Sequence, residues 1–298
     1  MSILDIMLPY YGDVDLMKIA VRSVLRQTDD RWRLTVIDDG DIDGVPEWFA
    51  SLNHPQVRYT RNERNIGLTA NFQRCVDRAE YDHMTIMGCD DVMLPNYVAA
   101  VMRLLDRYPE ATIVQPGVEV IGPDGRRLRT LLDEVKARLY APRYTDTYAL
   151  AGEDLAVRLL RGDWLYFPSL CWRTKKIRAI GFDERLGVIQ DLSLMLKLVE
   201  QGAELVGGRE VCFQYRRHPV SASAASAISG SRFTEARDFF FATAERMAEL
   251  GWNHAARVAR WHLSSRLHAL TLLPVAARQR NRSGVKVLTG YACGPPHA

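Results

Sequence analysis

Two pairs of adjacent aspartates stand directly after apolar runs in the first third of the chain, Asp38-Asp39 and Asp90-Asp91. Neighbouring carboxylates can accept hydrogen bonds from a ligand or bind a divalent cation through their oxygen atoms. A single aspartate at such a position is often only a helix N-cap, so one alone says little. Two pairs after two separate runs favour a binding site.

Other residues with chemical uses follow the remaining apolar runs of this region. Pro9 and Tyr11 follow the first run, and Asn65 and Gly67 lie in a turn after the third. In open α/β sheets, ligands bind beyond the carboxyl ends of the strands. We therefore expect a nucleobase to stack on Tyr11, its imide N–H to donate to Asp39, and the turn to approach sugar or phosphate.

The sequence contains neither of the common glycine-rich phosphate loops. It has no G-x-x-x-x-G-K-[ST] motif and no G-x-G-x-x-G after the first apolar run. A bound diphosphate must then be neutralised differently, and a divalent cation held by carboxylate oxygens is the natural device. Asp90 and Asp91 supply carboxylates for Mn²⁺ or Mg²⁺.

The elements that must position these residues alternate between strands and helices. Apolar runs and helical spacing predict strands at 4–8, 34–37, 57–60 and 83–87, and helices at 16–27, 68–79 and 97–108. This alternation indicates an α/β nucleotide-binding fold with a mostly parallel sheet covered by helices on both faces.

The rest of the chain has a different pattern. Asp124-Gly125 predicts a hairpin, and the weakly periodic residues 126–151 are typical of a long loop or lid. Further predicted elements are helices at 155–160, 174–180 and 192–200, a strand at 211–216, and two helices within 233–273 that separate near Gly251.

Six stretches then carry a resemblance to a known family. They are IMLPYY at 6–11, VIDDG at 36–40, RN at 61–62 with NIG at 65–67, GCDDVMLP at 88–95, GFDERL at 181–186 with QDLSL at 190–194, and YRRHPVS at 215–221. In this order they resemble family 2 glycosyltransferases of the GT-A fold. The resemblance implies a Rossmann-like catalytic domain at 1–225 and a helical extension at 226–298. It also implies transfer of a sugar from a UDP- or TDP-type donor to a hydroxyl or amine, with inversion.

On matching positions, the resemblance implies a role for each of four side chains. Asp39 would hold the uracil or thymine imide, and Asp90 would ligate the metal as the last aspartate of the D-x-D motif. His218 would contact the metal or the diphosphate, and Asp191 would be the general base. The chemistry agrees, because direct displacement needs a base for the acceptor's proton and a cation for the leaving diphosphate.

Three residues depart from the family's usual pattern. Gly88 replaces the first aspartate of the D-x-D motif, so a metal must rely on Asp90, Asp91 and the donor phosphates, and it is either weakly bound or dispensable. Gly12 stands where an asparagine is common, which could alter nucleotide preference. Gln190 replaces an acidic residue and removes a like charge beside Asp191.

The acceptor side is expected in residues 126–151 and around Trp164 and Tyr166. These two rings could stack on a sugar, and packing in the core is an equally good interpretation. A polysaccharide, a lipid carrier and a small natural product all stay open as acceptor. Two other functions also stay open: a nucleotidyltransferase, and a catalytically inactive sugar-nucleotide-binding protein, which Gly88 suggests.

Composition limits the partners. The net charge of +3 is too small to favour a nucleic acid as the partner. The charge is unevenly distributed, because the residues from Gly251 onward carry +7 without one acidic residue and the first 250 residues carry a net charge of −4. This basic end predicts packing on the catalytic domain, contact with an anionic membrane, or a homodimer through the C-terminal helices. Five cysteines without C-x-x-C spacing, and the lack of a long apolar run or signal-like start, predict a cytoplasmic protein.

Overall fold

A computed structural model describes residues 2–128, 142, 145–187, 189–218 and 231–294, without the side chains of residues 231, 232 and 234. The strands are β1 (Leu4–Tyr10), β2 (Trp32–Asp38), β3 (Val57–Arg61), β4 (His83–Ile86), β5 (Val92–Met93), β6 (Ile113–Ile121), β7 (Thr147–Ala151), β8 (Cys171–Arg173) and β9 (Glu204–Arg216). The helices are α1 (Val14–Val24), α2 (Val45–Leu52), α3 (Leu68–Arg78), α4 (Tyr97–Arg107), α5 (Gly152–Arg161), α6 (Thr174–Ile180), α7 (Gln190–Glu200), α8 (Ser231–Glu249), α9 (Asn253–Trp261), α10 (Leu263–Arg278) and α11 (Arg282–Cys293).

The first four strands form the parallel half of one sheet, in the order β3-β2-β1-β4. Every residue of β1 and β2 is buried, as expected for strands covered on both faces. Neighbouring residues of β1 enter opposite cores, since Ile6 and Leu8 belong to one hydrophobic cluster and Met7 to the other. The predicted GT-A type of sheet, covered by helices on both sides, is confirmed.

The second half of the sheet is mixed. β8 pairs antiparallel with both β4 and β6, and β6 pairs parallel with β9, so β6 and β9 run in the same direction as β1–β4. Their carboxyl ends, at residues 10, 38, 61, 86, 121 and 216, therefore face one edge. We call this edge the carboxyl rim. It explains how a motif at the end of β9 can meet motifs at the ends of β1–β4.

Sequence reasoning missed several strands of this second half. β7 lies within the segment predicted to be a loop; residues 129–141 and 143–144 of that segment lie outside the described residues. β9 begins at Glu204 rather than at residue 211, and Gly207 interrupts the apolar pattern there. The ring of Tyr148 on β7 explains this glycine, because a Cβ added to Gly207 would lie 2.0 Å from Tyr148 Cε1.

The C-terminal helices pack on the helix layer beside the sheet. The predicted break at Gly251 is confirmed, and a second one falls at His262, whose φ of +30° ends α9. Residues from α5, α7, α8 and α11, among them Leu155 and Leu288, share one hydrophobic cluster. The division at residue 225 stays a prediction, because residues 219–230 lie outside the described part. No described helix has both the length and the apolar character needed to cross a bilayer.

Candidate functional site

Asp39 lies one residue past β2, and its carboxylate organises the loop between β3 and α3. Asp39 Oδ1 accepts hydrogen bonds from the Ile66 N–H and from Asn62 Nδ2, both at 2.8 Å, and Oδ2 accepts from the Gly67 N–H at 2.9 Å. Asn65 Nδ2 donates to the Asp39 carbonyl oxygen at 2.9 Å. The residue predicted to bind a nucleobase is thus only 4% exposed and also holds the turn that carries Asn65 and Gly67.

Asp38 has a purely internal set of partners. Its Oδ1 accepts from the Gly40 N–H at 2.9 Å, and its Oδ2 accepts from Tyr59 Oη and from Arg61 Nε. Burial, followed by the hydrogen bond to Asp38, raises the pKa of the Tyr59 phenol. Asp38 therefore ties β2 to β3, and Asp39 is the member of the pair that orders the neighbouring turn.

Tyr11 is the exposed aromatic residue that the sequence predicted at the rim. Its side chain is 67% exposed, and Cδ2 lies 3.9 Å from the position a Cβ on Gly40 would take. The adjacent Gly12 has a φ of +116°, which side chains other than glycine rarely adopt, and its carbonyl accepts from Tyr10 Oη at 3.0 Å. The turn presents the Tyr11 ring outward beside the end of β2.

Asp90 and His218 meet at the rim although 128 positions separate them in sequence. Asp90 Oδ2 and His218 Nε2 are 2.7 Å apart, and each side chain is about one-third exposed. Because β4 and β9 run in the same direction, the loop after β4 and the end of β9 reach the same place. A carboxylate and an imidazole at an accessible edge can share a proton or a cation.

Asp91 lies beneath this pair. It is 1% exposed, and its Oδ1 accepts from the Arg216 N–H at 2.8 Å. Burial, and then the nearby charge of Asp90, raise the pKa of the Asp91 carboxyl well above its ordinary value. The buried Arg216 guanidinium donates to the carbonyls of Asp90, Gly122 and Pro123 and so joins the loop after β4 to the turn after β6.

Gly88 leaves room for the Asp91 carboxylate. A Cβ added to Gly88 would lie 2.4 Å from Asp91 Oδ2 and 3.1 Å from Asp90 Oδ1. The departure from the D-x-D pattern is therefore linked to the buried position of Asp91, because a side chain at residue 88 and the present Asp91 rotamer exclude each other.

Asp191 lies in the first turn of α7. Ile189 occupies the N-cap position, and Asp191 is the second residue of the helix. Its Oδ1 accepts from the Leu192 N–H at 2.8 Å, and its side chain is partly exposed. A carboxylate at this end of a helix is favoured by the helix dipole.

Tyr215 lies close enough to Asp191 and to the carboxylates of Asp90 and Asp91 for their charges to act on its phenol. Burial raises the pKa of its phenol, and the charges of Asp91, Asp90 and Asp191 raise it further. The same ring contacts Tyr166, with ring centroids 5.1 Å apart. The side chains of Asp191, Tyr166 and the rim aspartates therefore lie around one tyrosine.

Glu235 of α8 supports the segment that leads into α7. Its Oε2 accepts from the Gly187 N–H and its Oε1 from the Ile189 N–H, both at 3.3 Å. The helix that begins the C-terminal region thus holds the N-terminal end of the helix that carries Asp191.

The structure places three of the predicted site residues in buried positions. Pro9 is buried within β1 opposite Ile37, one residue before the strand ends at the rim, and its contact with a nucleotide stays a prediction. Trp164 is 7% exposed and belongs to the hydrophobic core, which leaves no face for an acceptor sugar. Asp91, predicted as a metal ligand, is buried with one oxygen bonded to the Arg216 N–H, and its role towards a metal stays a prediction.

Three residues of the site were not singled out from sequence. Asn62 bridges Asp39 to Asn71 of α3, Tyr215 lies among the carboxylates, and Arg216 joins two loops. All three lie in the family-like stretches at 61–67 and 215–221, and that was the available signal. Their roles depend on long-range contacts that spacing does not reveal.

Comparison with known proteins agrees with these motifs. The sequence model of the family described as Glycosyl transferase family 2 matches residues 5–166, more than half of the 298-residue chain. An uncharacterized glycosyltransferase of Rickettsia conorii is 26% identical over 200 residues, which are 66% of this chain and 31% of that protein. The chain therefore spans about a third of the length of this relative.

Solved structures show the same fold. S. aureus TarS in complex with UDP-GlcNAc superimposes with a TM-score of 0.61 at 12% identity, over 80% of this chain and 65% of that one. The mannosyltransferase PcManGT from Pyrobaculum calidifontis, in complex with GDP-Man and Mn²⁺, gives a TM-score of 0.56 at 14% identity, over 97% and 85%.

Proposed function

The chain belongs to glycosyl transferase family 2, and from this premise we propose that it transfers one sugar from a uridine or thymidine diphosphate sugar to an acceptor, with inversion at the anomeric carbon. The observation that supports this most is the contact between Asp90 and His218 on the rim that also carries Tyr11 and the Asp39 turn. The fold is shared with proteins solved with UDP-GlcNAc and with GDP-Man.

The nucleoside end of the donor is proposed to lie between Tyr11 and the Asp39 turn. The exposed Tyr11 ring offers a face for the base. Among the described residues, Asp39 Oδ2 has the Gly67 N–H as its one donor, and a carboxylate oxygen can accept a second. A uracil or thymine imide N–H can supply it, whereas a base without a donor there cannot. Asn65 and Gly67 are proposed to face the ribose or phosphate.

A divalent cation fits this site only as one held jointly with the donor. Asp90 and His218 offer an oxygen and a nitrogen ligand, and no cluster of three metal-binding side chains occurs in the described ranges. Mn²⁺ and Mg²⁺ tolerate this because diphosphate oxygens and water complete their coordination. Such a cation would stabilise the charge of the leaving diphosphate. Two protein ligands imply weak binding without nucleotide.

Asp191 is proposed to be the general base. As the acceptor oxygen or nitrogen forms its bond to the anomeric carbon, its proton passes to the Asp191 carboxylate, and the bond to the diphosphate oxygen breaks. Attack from the side opposite the leaving group gives inversion. The partly exposed Tyr166, in contact with Tyr215, is the aromatic residue we propose for the acceptor side.

A donor panel tests the proposal. The chain is incubated with UDP-, TDP- and GDP-sugars with and without Mn²⁺, and release of nucleoside diphosphate is measured together with thermal stabilisation by the free nucleotides. We expect release from a UDP- or TDP-sugar, stimulated by a glycan, lipid carrier or small natural product, and the opposite anomer in the product. Nucleotide binding without release from any donor and acceptor would support the inactive binding protein instead. No contact among the described residues favours a nucleotidyltransferase.

A further inference from the structure

The outward face of α10 carries apolar side chains. Leu263, Leu267 and Leu270 are 61%, 53% and 41% exposed, and Pro274 is exposed as well. The spacing 263, 267, 270 and 274 places these residues in one line along a helix. Trp261, at the end of α9, is 51% exposed and precedes this line directly. We call these five residues the outward stripe.

The opposite face of α10 is already packed. Ala269 and Ala276 are fully buried, and Leu272 and Leu273 contact the hydrophobic core. The helix is therefore apolar on both faces, a pattern typical of a helix that is covered on all sides. Within the described residues, the outward stripe faces solvent.

The surroundings of the outward stripe are strongly basic. The exposed cations of this region are Arg257, Arg260, Arg278, Arg280, Arg282 and Lys286. The sequence from residue 251 to the end has no Asp or Glu, and no carboxylate of the described chain pairs with these six side chains. Arg278 continues the spacing of the stripe, four residues after Pro274, so charge and apolar surface share one face.

We propose that the outward stripe docks on the surface of an anionic lipid bilayer. An interfacial helix inserts its apolar side chains at the boundary of headgroups and acyl chains, while arginines beside them contact lipid phosphates. A second copy of the chain is a poorer occupant, because a two-fold contact through this face brings two clusters of like charge together. None of the residues of the outward stripe is assigned to catalysis.

Vesicle binding of the full chain tests the proposal. Co-sedimentation is measured with vesicles of phosphatidylcholine alone and with mixed vesicles that contain about 30 mol% phosphatidylglycerol, each at low and at high salt. We expect binding to the anionic vesicles that weakens with salt, and little binding to neutral ones. Leu267→Glu should reduce the partition coefficient at least about tenfold, and Arg278→Glu about fivefold or more.

Leu250→Glu is the matched control, because Leu250 is a leucine of similar exposure, 45% against 53% for Leu267, just past the end of α8 and outside the stripe. It should bind vesicles like the wild type, and all three variants should keep the wild-type circular dichroism. No binding of the wild type to anionic vesicles at low salt would overturn the proposal. So would a Leu267→Glu variant that binds normally, or one whose only change is conversion of a dimer to a monomer in light scattering.

Discussion

Replacing Gly88 with alanine places a methyl group where the Asp91 carboxylate lies. The added Cβ would be 2.4 Å from Asp91 Oδ2, against 3.4 Å for ordinary contact, so the carboxylate must move by about 1 Å. That movement lengthens the 2.8 Å hydrogen bond from the Arg216 N–H beyond its useful range. A buried N–H left without its acceptor costs about 1–3 kcal/mol. We expect a loss of about 2 kcal/mol in the free energy of unfolding.

Thermal denaturation is the assay, and a loss of about 2 kcal/mol corresponds to a fall in Tm of about 3 °C in a chain of this size. Gly290→Ala is the control, because Gly290 lies within α11 and an added Cβ would meet no described atom within 4 Å beyond its own stretch of helix, so alanine there should be neutral or stabilising. In an Asp91→Ala background, Gly88→Ala should cost less than about 0.5 kcal/mol, since the opposing oxygen is gone. An unchanged Tm for Gly88→Ala alone would refute the reasoning.

Further substitutions test the other contacts of the site and the C-terminal helices. Asp39→Ala should weaken uridine nucleotide binding by about 1.5–3 kcal/mol in calorimetry without metal, and lower Tm as well; a lower Tm with unchanged affinity would remove Asp39 from the site. His218→Ala should abolish the extra thermal stabilisation that Mn²⁺ adds to UDP and leave the stabilisation by UDP alone. Glu235→Gln should lower kcat several-fold with unchanged nucleotide affinity, because glutamine keeps one of the two hydrogen bonds that Glu235 accepts from backbone N–H groups. An equal loss of kcat and of nucleotide affinity would indicate general unfolding. Burial lowers the pKa of His262 from 6.5 to about 4, so as the pH falls the unfolded chain takes up the proton before the folded one. The contribution of His262 to the free energy of unfolding should be complete above about pH 6.5 and fall by about 3 kcal/mol toward pH 4. Urea denaturation at each pH measures this fall, which should be smaller in His262→Asn.

Most elements of the first 120 residues could be predicted because each carries its own signal, whereas α2 and β5 were missed. β1 and β2 are buried on both faces, so their sequences are continuous apolar runs, and α3 shows Cys75 and Val76 on the side that packs. The rim residues Asp39, Asp90 and Tyr11 follow directly from where those strands end. The boundaries of the predicted elements there differ from the observed ones by at most three residues.

The remaining features depend on partners far away in sequence. β8 has three residues and β5 has two, and such short strands exist only because β4, β6 and β9 pair with them. For the same reason, sequence alone could neither choose between the two positions open to Trp164 nor reveal the burial of Asp91. An aromatic residue in a loop gives no sign of which core surrounds it, and the Arg216 N–H that donates to Asp91 Oδ1 lies 125 residues away.

Catalysis by Asp191 is tested most directly by the turnover of Asp191→Asn with the donor and acceptor identified in the panel. Asparagine Oδ1 can still accept from the Leu192 N–H, so the local structure is kept while the proton acceptor is lost. Asp154→Asn is the matched control, because Asp154 is also in the first turn of a helix, α5, away from the rim.

We expect Asp191→Asn to keep the wild-type Tm and nucleotide affinity and to lose about 10²–10⁴ in rate, while Asp154→Asn keeps its rate. An Asp191→Asn variant that transfers sugar at close to the wild-type rate would contradict the assignment of the base.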